Sequence, residues 1–200
     1  MTDIDNLRLL AGERAADDPM SAYALDGCAD EIERLRAAIL AVTYQSDGKD
    51  KIMTNPIDTT RLQEWAIGMA KHVAKLSKDP STQVGAVIFD EKRRLVSTGY
   101  NGFARGVEDR EARLLDRNTK LKLTLHAEKN AMLFATAPLD GCTMVVTHPC
   151  CAQCAAQTVQ AGIKHVVWPR PSEDFLSRWA DDYAYTLAQF GEAGVEVVEL

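Results

Sequence analysis

The chain has 200 residues, of which 46% are hydrophobic, and this size and composition suit one globular domain with a small addition. No stretch approaches the roughly 18 to 20 apolar residues of a membrane span, and residues 1–5 lack the basic start of a signal peptide. Three of the five cysteines cluster at Cys150, Cys151 and Cys154, which favours metal binding in a reducing compartment over a disulfide framework. We therefore expect a cytoplasmic protein that does not enter a membrane.

The formal net charge of −6 is distributed unevenly along the chain. Residues 1–56 hold 11 acidic and 6 basic side chains, whereas residues 57–200 hold 18 and 17 and are nearly neutral. A domain that binds a polynucleotide usually carries a basic excess. The charge therefore favours a small substrate and argues against nucleic acid as a partner.

Residues 1–56 are predicted to form a helical extension that ends in a linker. Its apolar residues at helical spacing are Ile32, Leu35, Ile39 and Val42. Residues 45–56 are polar, contain Gly48 and end in Asn55-Pro56, which is typical of a linker. The helix either packs its apolar stripe on the main domain or on another subunit, or recruits a different partner.

The main domain is predicted to occupy residues 57–200 and to begin with a helix from Arg61. The apolar face of this helix consists of Leu62, Trp65, Ala66, Met69, Val73 and Leu76. Residues 84–89 and 95–100 are predicted to be strands joined by a charged turn. The following polar stretch, residues 101–124, is a long connection of the kind that is usually functional or mobile.

Two further helices are predicted to begin near His126 and near Cys151, with a strand at residues 143–147 between them. Residues 165–168 are predicted to form a short buried strand, and residues 195–198 the final strand. The last helix carries an apolar face of Phe175, Leu176, Trp179, Tyr183, Leu187 and Phe190, and ends at Gly191 or Gly194.

The predicted element order over residues 57–200 is α-β-β-α-β-α-β-α-β. This order contains one hairpin, followed by strands that are linked through crossover helices. It predicts an α/β fold with a mixed sheet.

Two short motifs supply the chemistry. His126-Ala127-Glu128 and Cys151-Ala152-Gln153-Cys154 provide three zinc ligands and a carboxylate that is not needed as a ligand. Cys151 and Cys154 are neighbours on the first turn of a helix, where the helix dipole and unpaired N–H groups favour the thiolate. The spacing matches the H-x-E and C-x-x-C signature of zinc-dependent nucleobase deaminases.

A catalytic zinc site keeps its fourth position for water, whereas a structural site is closed by four protein ligands. With His126, Cys151 and Cys154 as ligands, a bound water would have a pKa near ~7, and Glu128 could transfer its proton. This arrangement predicts hydrolytic deamination of an amidine-like ring carbon. The alternative is a closed structural site whose fourth ligand is Cys150, His148 or Cys142, although Cys142 is predicted to be a small buried hydrophobe.

Four separated segments, in the same order, resemble those of deoxycytidylate (dCMP) deaminases. They are Ser77-Lys78-Asp79-Pro80-Ser81-Thr82-Gln83-Val84-Gly85-Ala86, Gly99-Tyr100-Asn101-Gly102-Phe103, His126-Ala127-Glu128-Lys129-Asn130-Ala131, and Cys154 through Gln160-Ala161-Gly162-Ile163-Lys164. The resemblance extends over about residues 60–200. It implies the cytidine deaminase-like three-layer α-β-α fold with a mixed five-stranded sheet.

The same resemblance implies zinc-dependent conversion of dCMP to dUMP, which supplies thymidylate synthesis. It also implies a homo-oligomer, commonly a hexamer, and in many members control by the effectors dCTP and dTTP. His126, Cys151 and Cys154 correspond to the zinc ligands of the family, and Glu128 corresponds to its proton shuttle.

The predicted substrate contacts are Asn101, Arg105 and Ala127. Asn101 corresponds to an asparagine that contacts the nucleotide sugar across the superfamily. Arg105 lies in the loop where the family handles nucleotide phosphates, and a guanidinium can bind two phosphate oxygens. A solvated loop arginine is the alternative interpretation.

Two positions depart from the pattern of the family. Cys150 stands where the family usually has proline, and residues 120–125 lack the tyrosine expected before the histidine motif. A second hypothesis therefore keeps the chemistry but changes the substrate to a modified dCMP, another nucleotide or a nucleic-acid base. A third is a non-catalytic zinc scaffold that uses the N-terminal helix as a partner module.

Overall fold

The computed structural model describes residues 60–200, and the predicted helical extension and linker of residues 1–56 lie outside this range. The helices in this range are α1 (Thr60–Ala74), α2 (Glu111–Leu115), α3 (Arg117–Leu123), α4 (Ala127–Leu133), α5 (Ala152–Gln160) and α6 (Glu173–Ala193). The strands are β1 (Gly85–Phe89), β2 (Leu95–Tyr100), β3 (Gly102–Phe103), β4 (Thr124–Leu125), β5 (Thr143–Val146), β6 (His165–Trp168) and β7 (Glu196–Glu199).

Five strands form one mixed sheet in the order β2-β1-β5-β6-β7. Strand β1 is antiparallel to both β2 and β5, whereas β5, β6 and β7 are mutually parallel. The parallel strands are connected through α5 and α6, as expected for crossover connections. The structure confirms the predicted mixed five-stranded sheet.

Helices cover both faces of this sheet. Along β1, Ala86 and Ile88 belong to a core that contains residues of α4, α5 and α6, whereas Val87 and Phe89 face α1. Every residue of β1 is buried, because its side chains alternate between the two faces of the sheet and helices cover both faces. The structure therefore confirms the predicted three-layer α-β-α fold.

The predicted polar connection of residues 101–124 is more structured than the sequence indicated. It contains α2, α3 and β3, and β3 pairs with β4 in a separate two-stranded sheet. These elements have five, seven and two residues, and so short an element shows no clear periodicity. The predicted element order omitted these short elements.

The ends of the long helices also refine the predictions. Helix α1 ends at Ala74, and Leu76, which was assigned to its apolar face, is 63% exposed. Helix α6 ends at Gly194, whose φ of 66° lies in the left-handed region that glycine adopts without strain. The same helix is interrupted by a kink at Trp179, where the backbone is non-helical.

Glycines allow two helices to approach the sheet directly. A Cβ on Gly85 would lie 2.1 Å from the carbonyl oxygen of Ala70 in α1, and a Cβ on Gly99 would lie 2.3 Å from that of Ala127 in α4. The contact with α4 is reinforced by the Ser97 hydroxyl, which donates to the Ala131 carbonyl at 2.7 Å. Strand β2 therefore sets the position of α4.

Within residues 60–200, no helix combines the length and the hydropathy that crossing a membrane requires.

We predict that Gly99→Ala destabilises the domain by about 1–3 kcal/mol, since the added methyl group overlaps backbone that cannot rotate away. Gly68→Ala is the matched control, because nothing lies within 4 Å of a Cβ at this position of α1. Alanine is favoured over glycine inside a helix, so the control should gain about 0.5–1 kcal/mol. Urea unfolding of both variants measures the difference, and equal stabilities would show that the approach of α4 to β2 is not tight.

Candidate metal centre

His126 lies at the start of α4 and is positioned by the small sheet that precedes it. It is the N-cap of α4, with extended backbone at φ −71° and ψ 155°, and its side chain makes no capping hydrogen bond. Strand β4 ends immediately before His126. Because Leu125 pairs with Gly102 in antiparallel register, the next pair along the two strands is Asn101 opposite His126. The imidazole is therefore free to bind a metal ion beside Asn101.

Cys151 is the N-cap of α5, and Cys154 lies on the first turn of the same helix. The backbone N–H of Cys154 donates to the Cys151 sulfur at 3.4 Å. Two side chains of α6 bind the backbone of this turn. Asp182 accepts from the backbone N–H of Ala152 at 3.0 Å, and Thr186 donates to the Cys150 carbonyl at 3.0 Å. The position of the two thiols thus depends on the packing of α6 against α5.

The three predicted ligands converge on one point. Their ligand atoms all lie within 4.8 Å of one another, and His126 Nδ1 lies 3.4 Å from the sulfur of both Cys151 and Cys154. Zinc bond lengths of about 2.0–2.1 Å to nitrogen and about 2.3 Å to sulfur place tetrahedral ligands roughly 3.5 Å apart. The donor set and its spacing therefore fit zinc.

No fourth protein donor joins this cluster among residues 60–200. Cys142, one of the predicted alternatives, is buried and its thiol lies 3.8 Å from the Pro138 carbonyl oxygen. Cys150 and His148 also lie outside the cluster. His126 is exposed whereas Cys154 is buried, so the open side of the site is accessible to solvent. This geometry is that of a catalytic site and not of a closed structural one.

The two ligand thiols are electrostatically different. The Cys154 thiol and His126 donate hydrogen bonds to Cys151 and lower the pKa of its thiol to about 4. The hydrogen bond that Cys154 donates, together with its burial, raises the pKa of the Cys154 thiol. One thiolate is therefore ready to bind metal at neutral pH, and full coordination releases the proton of the other.

Glu128 lies on the same first turn as His126 but outside the ligand cluster. It is only 4% exposed, and this burial raises the pKa of its carboxyl. A pKa raised from the ordinary value of a carboxyl group moves toward neutral pH, which is the direction that suits a general acid–base. The adjacent Cys150 is 1% exposed, and burial raises the pKa of its thiol, so it remains protonated.

The three residues predicted to contact substrate differ in their exposure and in their contacts with the rest of the chain. Asn101 is 6% exposed; its amide oxygen accepts from the Val84 N–H at 2.8 Å, and its amide nitrogen donates to the Thr82 carbonyl at 2.9 Å. Arg105 is exposed, with its guanidinium 5.3 Å from the centroid of the Phe134 ring. Ala127 is fully buried against β2. The structure brings Asn101 and Ala127 to His126 and leaves their contacts with substrate as predictions.

A buried ion pair, which the sequence analysis missed, supports the Asn101 region. Lys120 Nζ lies 2.8 Å from Asp79 and 2.9 Å from the Ser81 hydroxyl, and both charged side chains are nearly inaccessible to solvent. Asp79 also accepts from the backbone N–H groups of Ser81 and Thr82. The pair therefore joins α3 to the segment that holds Asn101. No local pattern reveals it, because the two residues are 41 positions apart.

The chain is similar to known deaminases. Residues 60–169 match the cytidine and deoxycytidylate deaminase zinc-binding region. An Aliivibrio fischeri protein named uncharacterized deaminase in luxG 3' region is 48% identical over 142 residues, covering 70% of this chain and 95% of the relative. The probable deoxycytidylate deaminase of Caenorhabditis elegans is 36% identical over 158 residues, covering 76% of this chain and 79% of the relative.

A solved structure shows the same fold. The dCMP deaminase from cyanophage S-TIM5, determined in complex with dCMP and dUMP, aligns with a TM-score of 0.56 and 22% identity. The alignment covers 71% of this chain and 98% of the phage enzyme.

We predict that Cys151→Ala and Cys154→Ala each lose the bound zinc and unfold at a lower temperature, because metal binding contributes to folding. Cys142→Ala is the matched control, since this buried cysteine lies outside the ligand cluster and should keep one zinc per chain. Metal analysis of the purified variants measures the zinc content. Full zinc occupancy in either ligand variant would contradict the assignment.

We predict that Lys120→Met destabilises the domain by about 3 kcal/mol at pH 7, because it leaves the Asp79 carboxylate buried without its partner. Lys122→Met, on the exposed side of the same helix, should change stability little. The double variant Asp79→Asn with Lys120→Met should recover part of the loss, as a double-mutant cycle by urea unfolding would show.

The pH dependence of this pair follows from Asp79. Burial alone would raise the pKa of this carboxyl, but hydrogen bonds from Lys120, Ser81 and Thr82 outweigh it and the pKa is lowered. The stabilisation is therefore complete above the unfolded pKa of about 3.9 and is lost as the pH falls through the lower folded pKa.

Proposed function

The chain belongs to the cytidine and deoxycytidylate deaminase family, and we propose that it hydrolyses dCMP to dUMP and ammonia with the help of a zinc ion bound by His126, Cys151 and Cys154. The observation that carries this proposal is the combination of three converging zinc ligands with a buried carboxyl group that is not one of them. A non-catalytic scaffold would leave Glu128 buried without a role.

The reaction replaces the exocyclic amine of the pyrimidine ring by oxygen. A zinc ion in this site supplies Lewis acidity and lowers the pKa of water to about 7. Glu128 accepts the proton of the attacking water and delivers it to the ring nitrogen next to the reacting carbon. It then passes the second proton to the leaving amine, so that the carbon–nitrogen bond breaks and ammonia departs.

The surroundings of Glu128 suit this double transfer. Burial raises the pKa of its carboxyl from the ordinary value, which favours a group that takes up a proton and releases it again. The neighbouring α4 backbone is held by Gly99, Ser97 and β2, so the carboxyl keeps a fixed position relative to His126. A fixed general acid–base needs little reorganisation during the reaction.

The substrate contacts are part of the same proposal. The amide of Asn101 is fixed by Val84 and Thr82, and its second N–H remains for the nucleotide sugar. The backbone N–H of Ala127 belongs to the first turn of α4 and has no intrahelical partner, so it can donate to the substrate. Arg105 would leave the Phe134 ring to bind the phosphate.

Several wider properties also remain proposals. We infer a cytoplasmic homo-oligomer, with a hexamer favoured, that supplies dUMP for thymidylate synthesis and responds to dCTP or dTTP. Large apolar side chains that are exposed on α2, α3 and α4 support an association between subunits. They are Leu115, Leu121 and Leu133.

We also propose that residues 1–56 are a separate module added to the deaminase domain of residues 57–200.

We predict that Glu128→Gln keeps one zinc per chain but lowers kcat for dCMP by roughly 10²- to 10⁴-fold, the usual effect of removing a general acid–base. Glu192→Gln, an exposed carboxylate on α6, is the matched control and should retain normal turnover. Retained activity in Glu128→Gln would remove this residue from the mechanism.

The substrate is tested by ammonia release from dCMP, cytidine, dAMP and single-stranded DNA. We expect release from dCMP, with little from the other three. Release from DNA alone would overturn the proposal and identify a nucleic-acid deaminase. Release from another mononucleotide alone would keep the chemistry and change the substrate.

A further inference from the structure

His148 lies at the end of β5, and the proposed reaction does not use it. Strand β5 ends at Val146, and Cys151 already caps α5, so residues 147–150 form the whole connection between them. Three residues span at most roughly 11 Å, which places the backbone of His148 close to that of the ligand Cys151.

The pairing of β1 with β2 on one side and with β5 on the other brings His148 into line with Asn101 across the sheet. Strand β1 pairs Gly85 with Tyr100, and the Asn101 N–H donates to the Val84 carbonyl at 3.1 Å, so that Val84 lies opposite Asn101. Strand β1 also pairs Ala86 with Val146, and the same register continued by two residues brings His148 opposite Val84. With about 4.8 Å between adjacent strands, the backbones of Asn101 and His148 lie roughly 10 Å apart.

The parity of position 148 places it on the metal side of the sheet. Met144 and Val146 of β5 belong to the core that contains residues of α4 and α5, and the same alternation extended two residues beyond the strand would place His148 on this side. The face that contains the zinc ligands is thus bounded at this edge of the sheet by Asn101 on one side and His148 on the other.

Thr147 contacts the imidazole on its Nδ1 side. The Gly85 N–H donates to the Thr147 hydroxyl oxygen at 3.1 Å, and the hydroxyl proton remains available for a further hydrogen bond. His148 Nδ1 lies 3.1 Å from this oxygen, and when the hydroxyl donates to Nδ1 the ring proton of the neutral imidazole resides on Nε2.

The other side of the ring is available for a ligand. Partial burial lowers the pKa of His148, which favours the neutral imidazole at pH 7. Among residues 60–200, Nε2 has no hydrogen-bond partner, and the side chain is exposed. The Nε2 side of the imidazole therefore faces solvent at the edge of the sheet that also carries Asn101.

We propose that His148 is a substrate-binding residue whose Nε2–H donates a hydrogen bond to an uncharged oxygen of the pyrimidine nucleoside, on the base or on the sugar. This inference rests on the proposed function and adds a contact to it. Asn101 and His148 lie on either side of Val84 at the same edge of the sheet, so a nucleoside bound over this edge would be within reach of both side chains. A neutral imidazole suits an uncharged acceptor, whereas a phosphate favours a cation. Thr147 is the positioning residue in this proposal, because its hydroxyl is placed to donate to Nδ1 and so to favour the Nε2-protonated ring.

The test compares His148→Leu, which removes the donor, with His148→Gln, whose amide keeps an N–H donor. Loss of one neutral hydrogen bond should raise KM for dCMP roughly 3- to 10-fold in His148→Leu, with kcat and zinc content nearly unchanged. His148→Gln should recover most of the affinity. His72→Leu, an exposed histidine on α1, is the matched control and should leave KM unaltered.

Thr147 provides an independent variant pair. Thr147→Val loses the hydroxyl and should raise KM as His148→Leu does, whereas Thr147→Ser keeps the hydroxyl and should behave as the wild type. Nitrogen-15 NMR of the imidazole rings should find His148 protonated on Nε2 alone and should show its Nε2 signal move on addition of dUMP.

The outcomes separate this inference from the proposed function. A wild-type enzyme that deaminates dCMP, together with an unchanged KM in His148→Leu, overturns the role of His148 and leaves the proposed function standing. An Nδ1-protonated ring also overturns it. A wild-type enzyme that releases no ammonia from dCMP overturns the proposed function and, with it, the nucleotide contact.

Discussion

The convergence of two helix starts on one point is the constraint on which the rest of the structure depends. His126 caps α4 and Cys151 caps α5, so three ligand atoms from segments 25 residues apart must meet within 4.8 Å. Both helices pack on the same face of the sheet, and this shared packing carries the geometry. A displacement of either helix by an ångström or two would separate ligands that zinc requires about 3.5 Å apart.

The first turns of α4 and α5 are held in place by different contacts. Helix α4 lies against β2 because Gly99 has no side chain, and the Ser97 hydroxyl binds its backbone. The first turn of α5 is held by Asp182 and Thr186 of α6. The site therefore depends on packing on both sides of the ligands, and this explains why catalytic groups on short helices can remain in fixed positions.

The electrostatics of the site follow from the same packing. Burial raises the pKa of the Glu128 carboxyl, whereas hydrogen bonds lower that of the nearby Cys151 thiol. One acidic group is thereby adapted to carry protons and the other to bind metal, although the two lie on adjacent helix starts. At the end of β5, the Thr147 hydroxyl oxygen lies 3.1 Å from His148 Nδ1 and leaves the Nε2 side of the imidazole exposed. The division of roles is set by the environment of each residue together with its type.

The sequence by itself determined the fold class and the order of the main elements, and it predicted the three candidate ligands and Glu128, because hydrophobic periodicity and ligand spacing are local properties. It could not reveal the small elements within residues 101–124, which are too short to show a period. Only the tertiary structure decided that Cys150 and Cys142 stay outside the cluster, that Lys120 pairs with Asp79, and that His148 reaches the level of Asn101. These relations join residues far apart in the chain, and strand register and helix packing, which no local pattern encodes, bring them together.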